Sequence, residues 1–418
     1  MNKQHYIFFL AGLFFFGAVS CTKVTDAPIR TSHPMTDAAG DLVRALDSSN
    51  CHLFDMAFHR AGMDTVLSAL SGYTILAPSD SAMTAAGLTA QVIGTLSTDS
   101  VARLVRYHIT AGFYNDTTLA AAQANIQVAT LRQDIFTDTV KGDVVYQQEV
   151  YLREYDNALY INGEFAQANA HPVSAFNGYL FTIGRVLRAP GQTLWEIIAT
   201  DPRLSLYRAA LRIDDSLALT YEINYYQYRP QSLCSDSILF STILYSSQAN
   251  SNLNQPTVFA PTDSAFIAAG FKTVDDIRRY ALSAPLADEG ISANNQYFVL
   301  ADVPMDSILY AHILFSNTDD NPMGYLLLYN DLQSSPLVNH GLVNANDYQI
   351  MRFVNSSLYY FQPYPLFFSV QNNVPYIQWN PALPPAPVPP DTDPSHPRHY
   401  LAMNGALYII DQLFTSPN

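Results

Sequence analysis

The chain has 418 residues, of which 49% are hydrophobic, 12% aromatic and 14% charged, so it is long enough for two or three domains with sizeable cores. Its formal net charge is −15, from 36 acidic and 21 basic residues. This balance argues against nucleic-acid binding, which draws its affinity from clustered Lys and Arg side chains.

The N-terminus has the pattern of a secretory signal. Lys3 precedes an apolar run from Tyr6 to Val19, and Ala18 and Ser20 supply the small residues before Cys21. The run is shorter than the roughly 20 residues that a membrane span needs, so we predict a signal peptide at residues 1–20. The small residues before Cys21 resemble the lipobox of bacterial lipoproteins. That resemblance implies a mature chain beginning at Cys21, acylated with chains such as palmitate.

The segment that follows, residues 21–35, is polar and contains two prolines, which predicts a tether. If Cys21 carries lipid, Cys51 and Cys234 remain. Two cysteines do not make a disulfide framework, and both a bridge and a pair of inert thiols stay open.

The rest of the chain repeats itself in four blocks that keep their order. YTILAPSDSAMTAAG at residues 73–87 and PTVFAPTDSAFIAAG at residues 256–270 are identical at nine of fifteen positions. The other pairs of blocks begin at Leu53 and Ser205, at Arg103 and Ser307, and at Phe176 and Met403. The offsets of 152, 183, 204 and 227 residues indicate a tandem duplication whose second copy carries three insertions.

Each residue of the strongest block has a predicted structural role. In the second copy Pro261 ends a strand because it has no N–H to donate, and Thr262 is a helix N-cap. Asp263 in the first turn is favoured by the helix dipole, and Gly270 suits the left-handed position that ends a helix. The corresponding residues of the first copy are Pro78, Ser79, Asp80 and Gly87.

These blocks resemble the fasciclin domain, through the A-P-[ST]-D-S-A motif, an apolar stretch with one histidine (His108, His312) and an Asn-Gly block. The resemblance implies an α+β fold of two tandem fasciclin-like domains, each a β-sandwich or wedge with packed helices. We place them at residues 36–190 and 191–418, with the three insertions in the second. It also implies adhesion or protein binding without catalysis.

Two sets of residues are candidates for binding. The family resemblance implies contacts from Tyr107 and His108, although a buried histidine is the alternative. The aromatic insertions supply rigid amphipathic contact area, at Tyr225, Tyr226, Tyr228, Tyr364, Tyr376 and Trp379. The alternative is that these aromatics pack onto their own domain. The proline run at residues 380–394 is predicted to be extended polyproline that joins no sheet.

The sequence also contains residues that could form two other kinds of site, a hydrolase site and a metal site. Asp80, Ser81 and His108 would be the constellation of a hydrolase, but the chain has no G-x-S-x-G elbow, and capping explains the Asp-Ser pair. Residues 316–322 and 391–399 offer possible metal ligands, but neither fits the spacing of a known calcium loop.

We therefore expect a non-enzymatic lipoprotein of the bacterial cell envelope, in the outer membrane and facing either the periplasm or the outside. Its expected partner is an envelope or extracellular protein. The alternative is a glycan-binding accessory lipoprotein for nutrient capture. We expect no cofactor, no metal and no nucleic acid.

Overall fold

The structure is a computed structural model that describes residues 40–67, 72–122, 124–138, 142–226, 255–283, 287–288, 301–302, 304–318, 321–324, 326–333, 349–350, 364–365, 367–379, 383–391 and 396–415. The predicted signal peptide, Cys21 with its tether, Tyr228 and Cys234 lie outside these residues. For Tyr225, Tyr226 and Tyr364 the structure describes the backbone and not the side chain.

The first half consists of helices and one large sheet. Its helices are α1 (Leu42–Asp47), α2 (His52–Arg60), α3 (Asp80–Ala85), α4 (Ala90–Thr95), α5 (Thr98–Tyr107) and α6 (Asp116–Ala121). Its strands are β1 (Tyr73–Pro78), β2 (Ile109–Ala111), β3 (Ile126–Asp138), β4 (Gly142–Tyr155), β5 (Ala158–Ile161), β6 (Glu164–Ala168), β7 (Val173–Ala175) and β8 (Gly178–Ile183). The eight strands form a sheet in the order β6-β5-β4-β3-β2-β1-β8-β7, in which only β1 and β8 are parallel.

The second half contains the same kinds of element. Its described helices are α7 (Leu194–Thr200), α8 (Ser205–Tyr226), α9 (Asp263–Ala268), α10 (Val274–Ala281), α11 (Asp306–Leu309) and α12 (Tyr329–Gln333). Its described strands are β9 (Thr257–Pro261), β10 (Ala287–Asp288), β11 (Ala301–Asp302), β12 (Ile313–Thr318), β13 (Asn321–Gly324), β14 (Gln349–Ile350), β15 (Tyr364–Pro365), β16 (Phe367–Gln371), β17 (Val374–Gln378), β18 (Ala386–Pro387), β19 (His399–Ala402) and β20 (Gly405–Ile410).

The larger sheet of this half repeats the centre of the first. Its order is β15-β14-β12-β9-β20-β19, with β13 paired to β12. Strands β9 and β20 are parallel, as β1 and β8 are, and they keep the same register: Thr74 lies opposite Tyr179, and Thr257 lies opposite Ala406. The mixed sheets with packed helices confirm the predicted α+β class.

The central strands bury both of their faces. Ile75 and Ala77 of β1 join one apolar cluster with helices α1 and α2, while Leu76 joins a second cluster on the opposite face. The same alternation recurs in β9, where Val258 and Phe259 enter different clusters. Because successive side chains of a strand point to opposite faces, an unbroken apolar run indicates a strand that is covered on both sides.

One predicted alignment is wrong by a single residue. The block at Leu53 was aligned with Ser205, but Phe54 and Tyr207 are the aromatic residues that lie beside the two buried histidines. Buried positions also agree only with an offset of 153, which pairs Phe58 with Leu211. The helical pattern alone could not fix the register because alanines occupy both candidate positions.

The proline run also departs from its prediction. Ala386 and Pro387 form the edge strand β18 on β17, and the backbone N–H of Val388 donates to the carbonyl of Pro375 at 2.8 Å. Ala386 and Val388 are buried. Proline is tolerated in edge strands, and the residues between the prolines carry the N–H groups and the apolar side chains that attach this segment.

Candidate functional site

The repeated Asp-Ser pair connects two helices. The hydroxyl of Ser79 accepts from the backbone N–H of Ala82, as expected of an N-cap. Asp80 reaches further, since its Oδ1 accepts from the backbone N–H of Leu53 in α2 at 2.8 Å and its Oδ2 lies 2.8 Å from Nδ1 of His52. One carboxylate therefore satisfies an orphan N–H of a second helix, a role that the sequence did not indicate.

The second copy repeats this arrangement. The hydroxyl of Thr262 accepts from the backbone N–H of Ala265. Asp263 accepts through Oδ1 from the backbone N–H of Leu206 at 2.7 Å, and through Oδ2 from the hydroxyl of Ser205. The predicted N-caps are confirmed, and both aspartates tie the helix after the shared strand to the helix before it.

The Asn-Gly block fixes another helix start. Oδ1 of Asn177 accepts from the backbone N–H of Leu42 at 2.8 Å, and Oδ1 of Asn404 accepts from Leu194 at the same distance. Both asparagines are buried. Each supplies an acceptor to the first turn of the helix that opens its half, α1 or α7.

The two repeated histidines are buried and bonded on both ring nitrogens. His108 donates from Nδ1 to the carbonyl of Leu104 at 2.8 Å, and its Nε2 accepts from the backbone N–H of Leu187 at 2.9 Å. His312 donates from Nδ1 to the carbonyl of Phe259 at 2.8 Å and accepts from Phe414 at 2.9 Å. Both rings are therefore neutral. Burial lowers the pKa of His108 to about 4 and that of His312 to about 3.

The predicted hydrolase constellation does not assemble. Both ring nitrogens of His108 are occupied by backbone groups, so the ring has no free nitrogen to act as a base. Asp80 pairs with His52, and the hydroxyl of Ser81 lies 2.9 Å from that of Ser79. No described base is hydrogen-bonded to Ser81, as nucleophilic catalysis requires.

Three of the predicted contact residues are interior residues, which corrects their assignment. Tyr107 is 1% exposed, His108 0% and Trp379 3%. The hydroxyl of Tyr107 accepts from the side-chain amide of Asn162 at 3.0 Å, and the indole N–H of Trp379 donates to the carbonyl of Thr415 at 3.1 Å. Their large rings are used for packing, which the sequence pattern did not distinguish from surface exposure.

Among the remaining predicted contact residues, Tyr376 is the one whose side chain the structure describes. Tyr376 lies half-buried on β17, and its cross-strand partners are Ser369 and Pro387. Residues 313–318 and 321–324, at the ends of one predicted metal loop, form the β12–β13 hairpin. In the other loop, Oδ1 of Asp391 accepts the backbone N–H groups of Arg398 and His399, so it acts as a loop cap.

A feature that the sequence analysis missed lies on the long β3–β4 hairpin. Ile135 and Val145 are cross-strand partners, and they are 69% and 48% exposed. We call this pair the hairpin patch. Asp134 on the opposite face is buried, with Arg103 and Arg132 bridged to it at 2.7 and 3.0 Å.

Comparison with known proteins identifies the first half. The family model described as the fasciclin domain matches residues 49–190. These residues match a fasciclin domain. The first copies of the paired motifs, His108 and Asp80 all lie within the matched residues.

A solved structure of a FAS1 domain pair from the insect cell adhesion molecule fasciclin I is also similar to this chain. The two sequences are 14% identical, and the alignment covers 88% of this chain and 98% of the solved chain, with a TM-score of 0.32. None of the curated proteins matches the chain. Within the residues that the structure describes, no helix is long and apolar enough to cross a membrane.

Proposed function

We propose that this protein is a non-catalytic lipoprotein of the bacterial cell envelope that mediates adhesion or protein–protein binding through two fasciclin domains. The observation that carries the proposal is the fasciclin domain at residues 49–190, a domain associated with adhesion and protein binding. The repeated strand register, histidine and capping aspartate of the second half support a tandem pair.

The contacts of the motif residues favour binding over catalysis. Asp80 and His108, the polar residues of the repeated motifs, are hydrogen-bonded to backbone groups that hold helices and strands in place. These are structural contacts, and none positions a nucleophile beside a base. The hairpin patch offers exposed apolar side chains on two paired strands, which suits a contact with another protein.

The test is an attachment assay with beads coated with the mature chain lacking its lipid. We expect coated beads to attach to intact cells of the producing organism, or to one another, more than albumin-coated beads do. The double variant Ile135→Thr/Val145→Thr keeps the β-propensity of the patch and should lower attachment several-fold. Val173→Thr, a similarly exposed site on β7, is the matched control and should leave attachment unchanged.

The same assay separates the alternatives. Attachment that a free glycan inhibits, together with binding on a glycan array, would replace protein adhesion by glycan capture. Attachment equal to that of albumin beads would contradict adhesion. Turnover of a hydrolase substrate by the wild type and not by Ser81→Ala would contradict the non-catalytic assignment.

The insertions of the second half are a rival location for the contacts. A variant with residues 227–252 replaced by a short Gly-Ser bridge joins the end of α8 to the segment before β9. If this variant keeps its thermal midpoint but loses attachment, the binding site belongs to the insertion. If attachment is unchanged, the hairpin patch remains the proposed binding site.

The proposed lipid anchor is supported by the signal-like N-terminus and by Cys21. Producing cells fed an alkyne-tagged fatty acid should label the wild-type protein, and Cys21→Ser should abolish labelling and detergent partitioning. Labelling of the variant at the wild-type level would contradict lipidation at this residue. Protease shaving of intact cells then decides between the periplasmic and the outer face.

A further inference from the structure

Three potential metal ligands meet where α1 and α2 adjoin. Asp47 ends α1, and Asp55 and His59 lie one turn apart on α2. Nε2 of His59 is 3.0 Å from Oδ1 of Asp47 and 3.4 Å from Oδ1 of Asp55. Among the described residues, this is the one group of three such side chains whose donor atoms all lie within 4.8 Å of one another.

The spacing of these atoms fits a bound ion. A tetrahedral ion with ligand bonds of about 2.1 Å holds its ligand atoms about 3.4 Å apart. The two distances from His59 already lie close to this value. The side chains of Asp47 and His59 are about half exposed, at 49% and 44%, so water can reach the group and complete the coordination.

A second observation concerns the carboxylate oxygen of Asp55 that faces this group. Oδ1 of Asp55 is shielded from solvent, although the side chain as a whole is 26% exposed, and it accepts no hydrogen bond; its nearest cationic partner is Nε2 of His59 at 3.4 Å. The carboxyl groups of Asp55 and Asp47 lie within hydrogen-bonding reach of each other, and Asp64 adds a third negative charge near His59. Facing carboxylates need either a shared proton or a cation between them.

Protonated His59 is the simpler cation, but it does not complete the site. It forms a hydrogen bond to Asp47 at 3.0 Å but only a longer ion pair, at 3.4 Å, to Oδ1 of Asp55. An ion placed among the three donor atoms contacts all of them. One imidazole with two carboxylates suits zinc, whereas calcium takes six to eight oxygen ligands.

We propose that Asp47, Asp55 and His59 bind one Zn²⁺ ion, with water completing its coordination, and that the ion ties α1 to α2. The site departs from the expectation of no metal. No sequence pattern indicates this site, because Asp47 belongs to a different helix from the Asp55–His59 pair. It is also independent of the proposed adhesion.

The test is calorimetric titration of the tag-free mature chain with ZnCl₂ at pH 7.5. We expect one equivalent of zinc to bind at a site that His59→Gln and Asp55→Asn each weaken at least tenfold. His171→Gln is the matched control, because His171 is exposed and pairs with a single carboxylate, Asp116, at 3.0 Å. Zinc should raise the thermal midpoint of the wild type and of this control, and not that of His59→Gln.

Three results would contradict the zinc site. Absence of a stoichiometric zinc site in the wild type, or equal zinc affinity in the wild type and His59→Gln, would overturn it. Calcium binding of equal strength would assign the group to hard oxygen ligands and would also overturn it. Matching circular dichroism and thermal midpoints in EDTA for all variants show that lost binding is not lost folding.

Discussion

The buried histidines are the residues through which pH should act on the fold. An unfolded histidine titrates with a pKa of about 6.5, whereas burial lowers the pKa of His108 to about 4 and that of His312 to about 3. Below pH 6.5 the unfolded chain therefore binds more protons than the folded chain. The stability that these residues contribute is complete above pH 6.5 and is lost as the pH falls towards 4.

We predict that the free energy of unfolding falls by about 1.6 kcal/mol per buried histidine between pH 6.5 and pH 5. Urea denaturation at several pH values measures it. His108→Gln should be less stable at pH 7.5 but should show a smaller loss over this range. Exposed His171→Gln, the control, should keep the wild-type slope. An unchanged slope in His108→Gln would show that this ring does not titrate as its burial requires.

The capping aspartates give a second prediction at the scale of single residues. Ser79→Ala with Asp80→Ala removes the cap of α3 and the acceptor for the N–H of Leu53. We expect a loss of about 1–2 kcal/mol in the free energy of unfolding, with attachment unchanged while the protein is folded. Asp99→Ala, in the exposed first turn of α5, is the control. A loss of attachment at wild-type stability would reassign the motif as a binding site.

At the scale of elements, the strand after each Asn-Gly pair depends on its glycine. A Cβ at Gly178 would lie 1.9 Å from the carbonyl oxygen of Tyr73, and one at Gly405 would lie 2.4 Å from that of Pro256. Both glycines have φ of 156°. The parallel strand pairs β1–β8 and β9–β20 can approach each other only because these positions have no side chain.

We therefore predict that Gly178→Ala is severely destabilising, by about 3 kcal/mol or more, because backbone must move to relieve the overlap. Gly94→Ala is the contrasting variant, since Gly94 lies within α4 with open space around it. It should stabilise by about 0.5–1 kcal/mol. Thermal melts of both variants compare the two effects, and equal midpoints for Gly178→Ala and the wild type would refute the close-packing argument.

At the scale of the whole molecule, the two halves are joined by buried polar contacts. Arg153 on β4 is 3% exposed and pairs with Asp331 of α12 at 3.2 Å. Asn125 and Asn330 exchange amide hydrogen bonds at 3.1 Å in both directions. The hydroxyl of Tyr146 donates to the carbonyl of Met403 at 2.8 Å. We expect these contacts to make the two halves unfold as one cooperative unit.

We predict that Arg153→Met costs about 3–5 kcal/mol, because it leaves the carboxylate of Asp331 buried without its cation. Calorimetry should then resolve two unfolding transitions in place of one. Double replacement of Arg153 by Met and Asp331 by Leu should recover much of the loss. Exposed Arg188→Met is the control. A single transition at the wild-type midpoint in Arg153→Met would show that the halves are not coupled through this pair.

The sequence by itself determined the repeat, the α+β class, the N-caps and the ends of the shared strands. These features depend on local rules: an apolar run predicts a buried strand, a hydroxyl before a helix caps it, and proline ends a ladder. The resemblance to the fasciclin domain depended on the same residues, and the family match to residues 49–190 confirms it.

Only the tertiary structure decided which side chains are buried and which distant groups they meet. Tyr107, His108 and Trp379 have the composition of a contact surface, yet they are interior because neighbouring elements cover them. The second partner of Asp80 lies 27 residues away along the chain. Strand and helix periodicities specify which face of an element is apolar, and they do not specify what packs against that face.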